Sequence, residues 1–298
     1  MEDNNRFENT LFSMTTPIYA IYSAEGKTYK TQGTGFYYNE VLPTQPDKVG
    51  PQWYQLKSFW LVTNRHVALP RDDKGTEYIP DSFTFCLREV VDDEIRWLPV
   101  TILKTEFLTL LKVHSSEEVD VAVIDVSSYI QNLFKEINEK KRNIMIPTTL
   151  SNLNLPANQP IEIDVTSDII VASYPKNFYD EKNKFPIIKS GIVASAWNYD
   201  FKGLPMFQID AQLFPGSSGG LVLSKPTNIA TFGGQIQFNK TKQFVFLGIY
   251  SGEYKWYETI EIGGKQYRVG NSYGLGNVWY SHLVPNIIEN GIPKSEST

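Results

Sequence analysis

A single cysteine, Cys86, stands in the 298 residues of the chain. One thiol cannot close an intramolecular disulfide, so a secreted scaffold stapled by bridges is excluded and a reducing, cytoplasmic compartment is expected. Long apolar runs are also missing. Stretches such as 59–62 and 121–124 fall far short of the roughly 20 residues that a membrane helix needs, and no membrane partner is expected. The opening MEDNNRFENTLFSM has neither a basic nor an apolar region of the kind that forms a signal peptide. Basic charge is short as well: 28 Lys and Arg face 33 Asp and Glu, a net charge of -5, which argues against a nucleic-acid partner. There is no fixed-period repeat, which removes solenoids and propellers. No H-E-x-x-H, cysteine pair or G-x-x-x-x-G-K-[ST] occurs, and Gly33-Thr34-Gly35 lacks the third glycine of a dinucleotide loop. No metal and no organic cofactor are expected.

What the chain has in quantity is material for strands. Aromatic residues make up 13%, with 17 Tyr and 17 Phe, and 20 Gly and 17 Pro punctuate the sequence. Twelve short runs rich in β-branched or aromatic residues lie at 19–23, 35–38, 59–63, 82–88, 96–103, 119–126, 169–173, 188–194, 206–209, 219–223, 229–237 and 244–250. They predict an all-β fold of two small barrels or a sandwich. One helix is predicted over 128–142, where Ile130, Leu133, Phe134 and Ile137 repeat at helical spacing, and a second over 281–289. The Asn- and Pro-rich stretch 143–160 reads as a linker, and 39–55, with Pro43, Pro46 and Pro51, as an insertion in a hairpin loop. The expected organisation is an extension over 1–16, a first β unit with its helix over 17–142, the linker, and a second β unit with the terminal helix over 161–298.

The chain has three histidines, His66, His114 and His282. His66 follows an apolar strand in FWLVTNRHVA, a rigid placement that suits a general base facing a cleft. His114 lies in a polar stretch, and His282 opens the terminal helix. Asp120 stands at the start of the apolar run VDVAVIDV, where an ionised carboxylate needs a hydrogen-bonding partner such as an imidazole N–H. Asp125 competes with it. Cys86, in an alternating strand, reads as a small buried hydrophobe.

The segment DAQLFPGSSGG over 210–220 is the most informative. A nucleophilic serine needs backbone N–H groups aimed at a developing oxyanion, with small residues around it so that a substrate backbone can approach. Two serines compete. In acyl transfer at this motif, the oxyanion is held by the amides of the nucleophile and of the residue two before it. For Ser218 that residue is Gly216; for Ser217 it is Pro215, which has no N–H. The chemistry selects Ser218.

TNRHV, VDVAVIDV and DAQLFPGSSGG together resemble the chymotrypsin-fold, trypsin-like serine peptidases, and among them the HtrA (Do-like) branch. The order His66, Asp120, Ser218 is the order of that family. GTGF at 33–36, KSGIVAS at 189–195 and LGIYSG at 247–252 add to the resemblance, which spans roughly 17–288. It implies two six-stranded antiparallel barrels and a serine endopeptidase in which Ser218 attacks, His66 relays the proton, Asp120 orients the imidazole, and the amides of Gly216 and Ser218 hold the oxyanion. It also implies a substrate site at Gln212, Tyr250, Ser251 and Gly252, with uncharged Gln212 at the floor of the primary pocket and cleavage after apolar or small neutral residues. Its partners would be protein or peptide substrates. Since an unrestrained peptidase is hazardous to its host, narrow specificity or a regulatory protein partner is expected.

The chain also departs from the family. Eighty residues follow Ser218, enough for the last strands and a helix, so the PDZ module of HtrA proteins is expected to be absent. Ser217 replaces the Asp of cleavage-activated trypsins. Phe214 stands where the branch usually carries Asn, making 214–216 the place where a switch of the oxyanion loop would act. The rival reading is a catalytically silent module that binds an extended peptide as an added strand beside 250–252.

Overall fold

Alternation of apolar and polar side chains organises the amino-terminal half. In Thr15–Ala24, Ile18, Ala20 and Tyr22 turn inward while Ile21 and Ser23 face water, the period of two of a half-buried strand. A computed structural model describes residues 7–42, 55–72, 74–140, 142–176, 178–232 and 235–294. After helix α1 (Phe7–Ser13), the first β unit runs through β1 (Thr15–Ala24), β2 (Lys27–Leu42), β3 (Gln55–Thr63), the short helix α2 (Arg65–Ala68), β4 (Ser82–Val91), β5 (Glu94–Leu103), α3 (Lys104–Leu110), β6 (Leu111–Val113) and β7 (Ala122–Asp125). Helix α4 (Ser127–Lys140) and β8 (Ile144–Met145) follow. The second unit holds β9 (Asp168–Ser173), β10 (Ile187–Val193), β11 (Met206–Asp210), β12 (Leu221–Ser224), β13 (Thr227–Phe232), β14 (Gln235–Gln243), β15 (Phe246–Ile262), β16 (Lys265–Tyr280), α5 (Leu283–Asn290) and β17 (Ile292–Pro293).

The fold is of the expected class, β-rich with a closed six-stranded antiparallel barrel of the chymotrypsin type in the order β10-β11-β16-β15-β12-β9. The first unit, expected as a second six-stranded barrel, is instead a larger, nine-stranded sheet, β17-β6-β7-β3-β2-β1-β4-β5, with β8 beside β4. The chain end returns to it: Ile292 pairs with Val113 across β17 and β6, so the last residues do not stay with the second unit. The 143–160 stretch is also tied to the first unit, through β8 and the bridge between Tyr38 and Leu150. The insertion expected over 39–55 overlaps residues outside those described; the hairpin that flanks it pairs as far as Leu42 and Gln55.

Several strand expectations need correction. The run 229–237 is not one strand. Its chain pairs back on itself as the hairpin β13–β14, Ile229 opposite Phe238. The strand expected over 244–250 continues to Ile262, and β16, its partner, was not expected at all. No helix among the described residues is long and apolar enough to cross a membrane.

The site lies where the two units meet. One apolar cluster packs Phe36, Tyr38, Trp60 and Val62 of the first sheet against Leu221, Phe246, Ile249 and Trp279 of the barrel and Val284 and Ile287 of α5. Each unit also has its own core, around Phe83, Phe85 and Ile124 in one and around Val171, Phe207 and Leu247 in the other. Burial on both sides makes the seam a rigid base.

Candidate active site

The register of β3 and β7 brings two of the expected residues together. These strands pair antiparallel from Trp60 opposite Asp125 to Thr63 opposite Ala122. Carried two residues further, that register sets position 65 across from position 120. β3 gives way there to α2, whose single turn is closed by amides of Val67 and Ala68 donating to the Asn64 carbonyl. Asn64 ties the two ends, its side-chain amide donating to the Asp120 carbonyl at 2.8 Å.

Asp120 then grips His66 twice. Its Oδ1 accepts the His66 backbone N–H at 2.9 Å, and its Oδ2 accepts Nδ1–H of the imidazole at 2.7 Å. A third donor, the Ser251 hydroxyl, reaches Oδ2 at 2.6 Å. Burial pushes the Asp120 pKa up, but the neighbouring imidazole and these hydrogen bonds outweigh it and hold the carboxyl below its usual range. Burial likewise pushes His66 down; the Asp120 charge and hydrogen bond overcome this and leave it above its ordinary value, with Arg71 opposing. The Nδ1 bond leaves Nε2 as the free nitrogen, and the imidazole remains 36% exposed. Asp125 is elsewhere: its carboxylate accepts the Ser127 N–H at the start of α4. His114 accepts the Ser116 N–H through Nδ1, and His282 stacks on Tyr280, with burial lowering its pKa.

Ser218 is joined to this pair through Ser251. Its Oγ–H donates to the Ser251 carbonyl at 2.9 Å, so Ser251 touches Ser218 through its backbone and Asp120 through its side chain. Ser217 is buried, and its Oγ accepts from the Ser173 hydroxyl, which removes it from any substrate.

The loop around Ser218 takes a defined shape. Gly216 has a φ of +92°, and a Cβ there would stand 2.5 Å from the Lys176 N, so only glycine fits. The Lys176 N–H donates to the Pro215 carbonyl at 2.7 Å and ties the loop to the segment after β9. The amides of Gly216 and Ser218 have no protein acceptor among the described residues. Phe214 does not brace the loop from inside. It is half exposed, with Lys189 Nζ 5.7 Å from its ring centre.

Thr34 is the functional residue that sequence reasoning undervalued. Its Oγ1–H donates to the Gly216 carbonyl and accepts the Tyr174 N–H, its N–H donates to the Ser218 carbonyl, and its own carbonyl accepts the Thr63 hydroxyl. One residue of β2 thereby fixes the loop of the second unit against the strand leading to His66. GTGF, counted among the motifs of a resemblance, was its only signal.

Of the other expected site residues, Tyr250 is buried and exchanges backbone bonds with Gly219 and Gly220, Gly252 faces open space, and Gln212 is exposed between buried Ala211 and Leu213. A cleft of about 900 Å³ lies behind α2, lined by Arg71, Glu77, Lys104, Glu118 and Lys294 among others, and does not reach Ser218. No group of three His, Cys, Asp or Glu side chains among the described residues is arranged to hold a metal ion.

The arrangement has the groups that acyl transfer needs: a hydroxyl linked through Ser251 to an imidazole–carboxylate pair, an outer imidazole nitrogen left open, and two amides without a protein acceptor among the described residues. Comparison with protein-family models finds the trypsin-like peptidase domain matching residues 33–228. No curated protein matches the chain.

Proposed function

Given that the chain belongs to the trypsin-like peptidase family, we propose that it is a serine endopeptidase working through His66, Asp120 and Ser218. The observation that carries this reading is the Ser251 bridge, which sets the His66–Asp120 pair and Ser218 on one residue. Rotation of Ser218 Oγ from the Ser251 carbonyl toward Nε2 of His66 readies the attack, as hydrogen bonds of an empty site commonly tighten only with substrate. Ser218 Oγ bonds to the scissile carbonyl carbon as its proton passes to Nε2. The tetrahedral oxyanion lies against the amides of Gly216 and Ser218, and the imidazolium, held by Asp120, gives the proton to the leaving amine. Water then repeats the sequence and releases the acid. An uncharged Gln212 supports cleavage after apolar or small neutral residues. The lack of an Asp before the nucleophile supports the HtrA-like branch over cleavage-activated enzymes, and the single cysteine, buried at Cys86 with its thiol pushed up to about 12 by burial, supports a cytoplasmic setting. A regulatory protein partner belongs to the same reading.

A fluorophosphonate probe tests it. Covalent labelling that disappears in Ser218→Ala is the expected result. A chain that binds peptides yet is never labelled would instead be the silent strand-binding module.

A further inference from the structure

Arg88 is a buried cation that the proposed chemistry leaves unused. It lies on β4 opposite Trp97 of β5, 4% exposed, with its guanidinium 5.1 Å from the Trp97 ring centre. Its acceptors among the described residues are all uncharged oxygens. Nε and Nη2 both donate to the Lys184 carbonyl, at 3.0 and 2.9 Å, while Nη2 also donates to the Thr15 carbonyl at 3.3 Å and to the Tyr174 hydroxyl. That hydroxyl donates in turn to the Lys184 carbonyl at 3.2 Å. Withdrawing a guanidinium from water without a carboxylate is costly, and an apolar side chain of similar volume commonly serves stability as well or better. Stability alone does not account for the charge.

What Arg88 holds belongs to the second unit. Tyr174 and Lys184 stand at the two ends of the connection from β9 to β10, and aromatic contacts reach the same connection from the first unit: Trp97 meets the rings of Tyr174 and Tyr179 with centres 5.9 and 6.3 Å apart. Phe12 of α1 adds a stacked contact to Phe185 at 4.3 Å. Lys184 itself has a φ of +61°, a conformation that a residue other than glycine keeps only where its surroundings enforce it. The start of the connection lies against the Ser218 loop. Thr34 Oγ1 accepts the Tyr174 N–H and donates to the Gly216 carbonyl, the Lys176 N–H binds the Pro215 carbonyl, and a Cβ on Gly216 would stand 2.9 Å from the Tyr174 carbonyl oxygen. Tyr174 thus meets Arg88 through its hydroxyl and the Gly216 loop through its backbone.

Resting on the peptidase reading, we propose that Arg88 is a positioning residue: from the first unit it fixes the Tyr174 hydroxyl and the Lys184 carbonyl, and through the backbone of Tyr174–Lys176 it sets the Gly216 and Ser218 amides that receive the oxyanion. It touches neither the substrate nor the reacting atoms. A planar guanidinium suits this task, because its fork meets several oxygens from one rigid group, whereas a lysine ammonium on a flexible stem would not fix their mutual geometry. The amides engage a charge that develops only as Ser218 attacks, so a displaced loop lowers the rate of acylation and leaves ground-state peptide binding in place. Neither His66 nor Asp120 is among the partners of Arg88, and the titration of that pair should not respond.

The test compares the full chain with Arg88→Met, which fills the space without the charge, and with Tyr174→Phe, which removes only the bridging hydroxyl. The rate of fluorophosphonate labelling should fall about tenfold in Arg88→Met, less than the 10²- to 10³-fold loss of a whole oxyanion donor, and by a smaller factor in Tyr174→Phe. Labelling should still run to completion with an unchanged pH midpoint, since a merely structural defect would reduce the fraction of chain that labels and not its rate. Arg96→Met, which removes an exposed guanidinium of β5, should label like wild type. Amide hydrogen exchange read by mass spectrometry should quicken at 174–176 and 214–218 in Arg88→Met and Tyr174→Phe and stay unchanged at 63–67. Should Arg88→Met fail to melt cooperatively, Tyr174→Phe decides alone. Wild-type rates and exchange in the folded variants, a smaller labelled fraction at an unchanged rate, or a shifted pH midpoint would overturn the proposal. A wild-type chain that is never labelled defeats the peptidase reading, and hydrogen exchange then decides whether Arg88 holds the Gly216 loop; labelling that responds to neither variant defeats the role of Arg88 alone.

Discussion

The hydroxyl of Ser251 donates to Oδ2 of Asp120 at 2.6 Å, the oxygen that also receives Nδ1–H of His66. A hydrogen bond to a charged acceptor stabilises more than a neutral one, and its loss here frees Oδ2 to shift relative to the imidazole. Ser251→Ala should lower the rate of fluorophosphonate labelling roughly tenfold, about 1.4 kcal/mol, while Ser251→Thr, which keeps the hydroxyl, retains most of it. An unchanged rate in Ser251→Ala would show that the bridge does not position the pair.

The state of His66 sets a pH dependence. The imidazole must be neutral to accept a proton, and Asp120 raises its pKa above the ordinary value of about 6.5 against the opposing pull of burial. Labelling should therefore rise with pH and level off only above that ordinary value. In Asp120→Asn the raising charge is gone while burial and Arg71 still depress the pKa, so the midpoint should move below that value. Turnover should also fall by about 10⁴, because an asparagine in this place of a Ser-His-Asp triad favours the wrong imidazole tautomer. Asp125→Asn, at the start of α4, should leave both the midpoint and the rate in place; a loss there would overturn the assignment of Asp120.

How far the site could be read beforehand depended on whether one segment carried the signal. His66 and Asp120 each sit at the end of an apolar strand, and Ser218 lies in a run of small residues, so local sequence was enough. The choice of Ser218 over Ser217 followed from the missing amide of Pro215, and the burial of Ser217 agrees with it. Thr34 could not be found that way, because its partners Gly216, Ser218 and Tyr174 lie more than a hundred residues away and only tertiary packing brings them together. β16 escaped for another reason. Gly270, Gly274 and Gly276 read as turn signals, and over its first half neither face is buried, so the periodic signature of a strand against a core is absent. Glu258 similarly interrupts the apolar alternation of β15. The run 229–237 is the opposite case, read as one strand although its residues are divided between β13 and β14.

A salt-bridge cluster beside α2 carries a stability prediction. Arg65, 3% exposed in its side chain, is held by Glu77 at 2.7 Å, and Glu77 also binds Arg71 and Lys294. Burial raises the Glu77 pKa, but its hydrogen bonds to Arg65, Arg71 and Lys294 prevail and bring it down to about 2. A carboxylate depressed on folding stabilises above its unfolded value, near 4.3, and loses that contribution as pH falls toward 2. Glu77→Gln leaves a buried guanidinium poorly compensated and should cost roughly 3 kcal/mol at pH 7 in urea unfolding, the range for breaking a buried pair. The difference from wild type should shrink as pH drops from 5 toward 2. A gap that stayed constant over that window would show that the charge of Glu77 is not what stabilises the fold.

The last prediction concerns the loop at Gly216. Its positive φ and the 2.5 Å approach that a Cβ would make to the Lys176 N mean that Gly216→Ala must displace the turn, and with it the Pro215 carbonyl bonded to Lys176 and the amides of Gly216 and Ser218. Loss of one oxyanion donor costs about 10²- to 10³-fold in rate. Gly216→Ala should therefore slow labelling by that factor while leaving the Ser218 hydroxyl and the His66–Asp120 pair intact, which a retained pH midpoint would report. Ser217→Ala should keep labelling at Ser218, with the adduct located by mass spectrometry, and lower stability by about 1 kcal/mol through the lost bond from Ser173. The switch expected of 214–216 can be judged in the same assay. The Lys176 N–H fixes the Pro215 carbonyl beside two amides that have no protein acceptor among the described residues, so the isolated chain should label rapidly, and an increase on adding a peptide would measure what substrate binding contributes to the loop. Should Gly216→Ala label as fast as wild type, the oxyanion would have to be held elsewhere, and the positive φ of Gly216 would have no part in the chemistry.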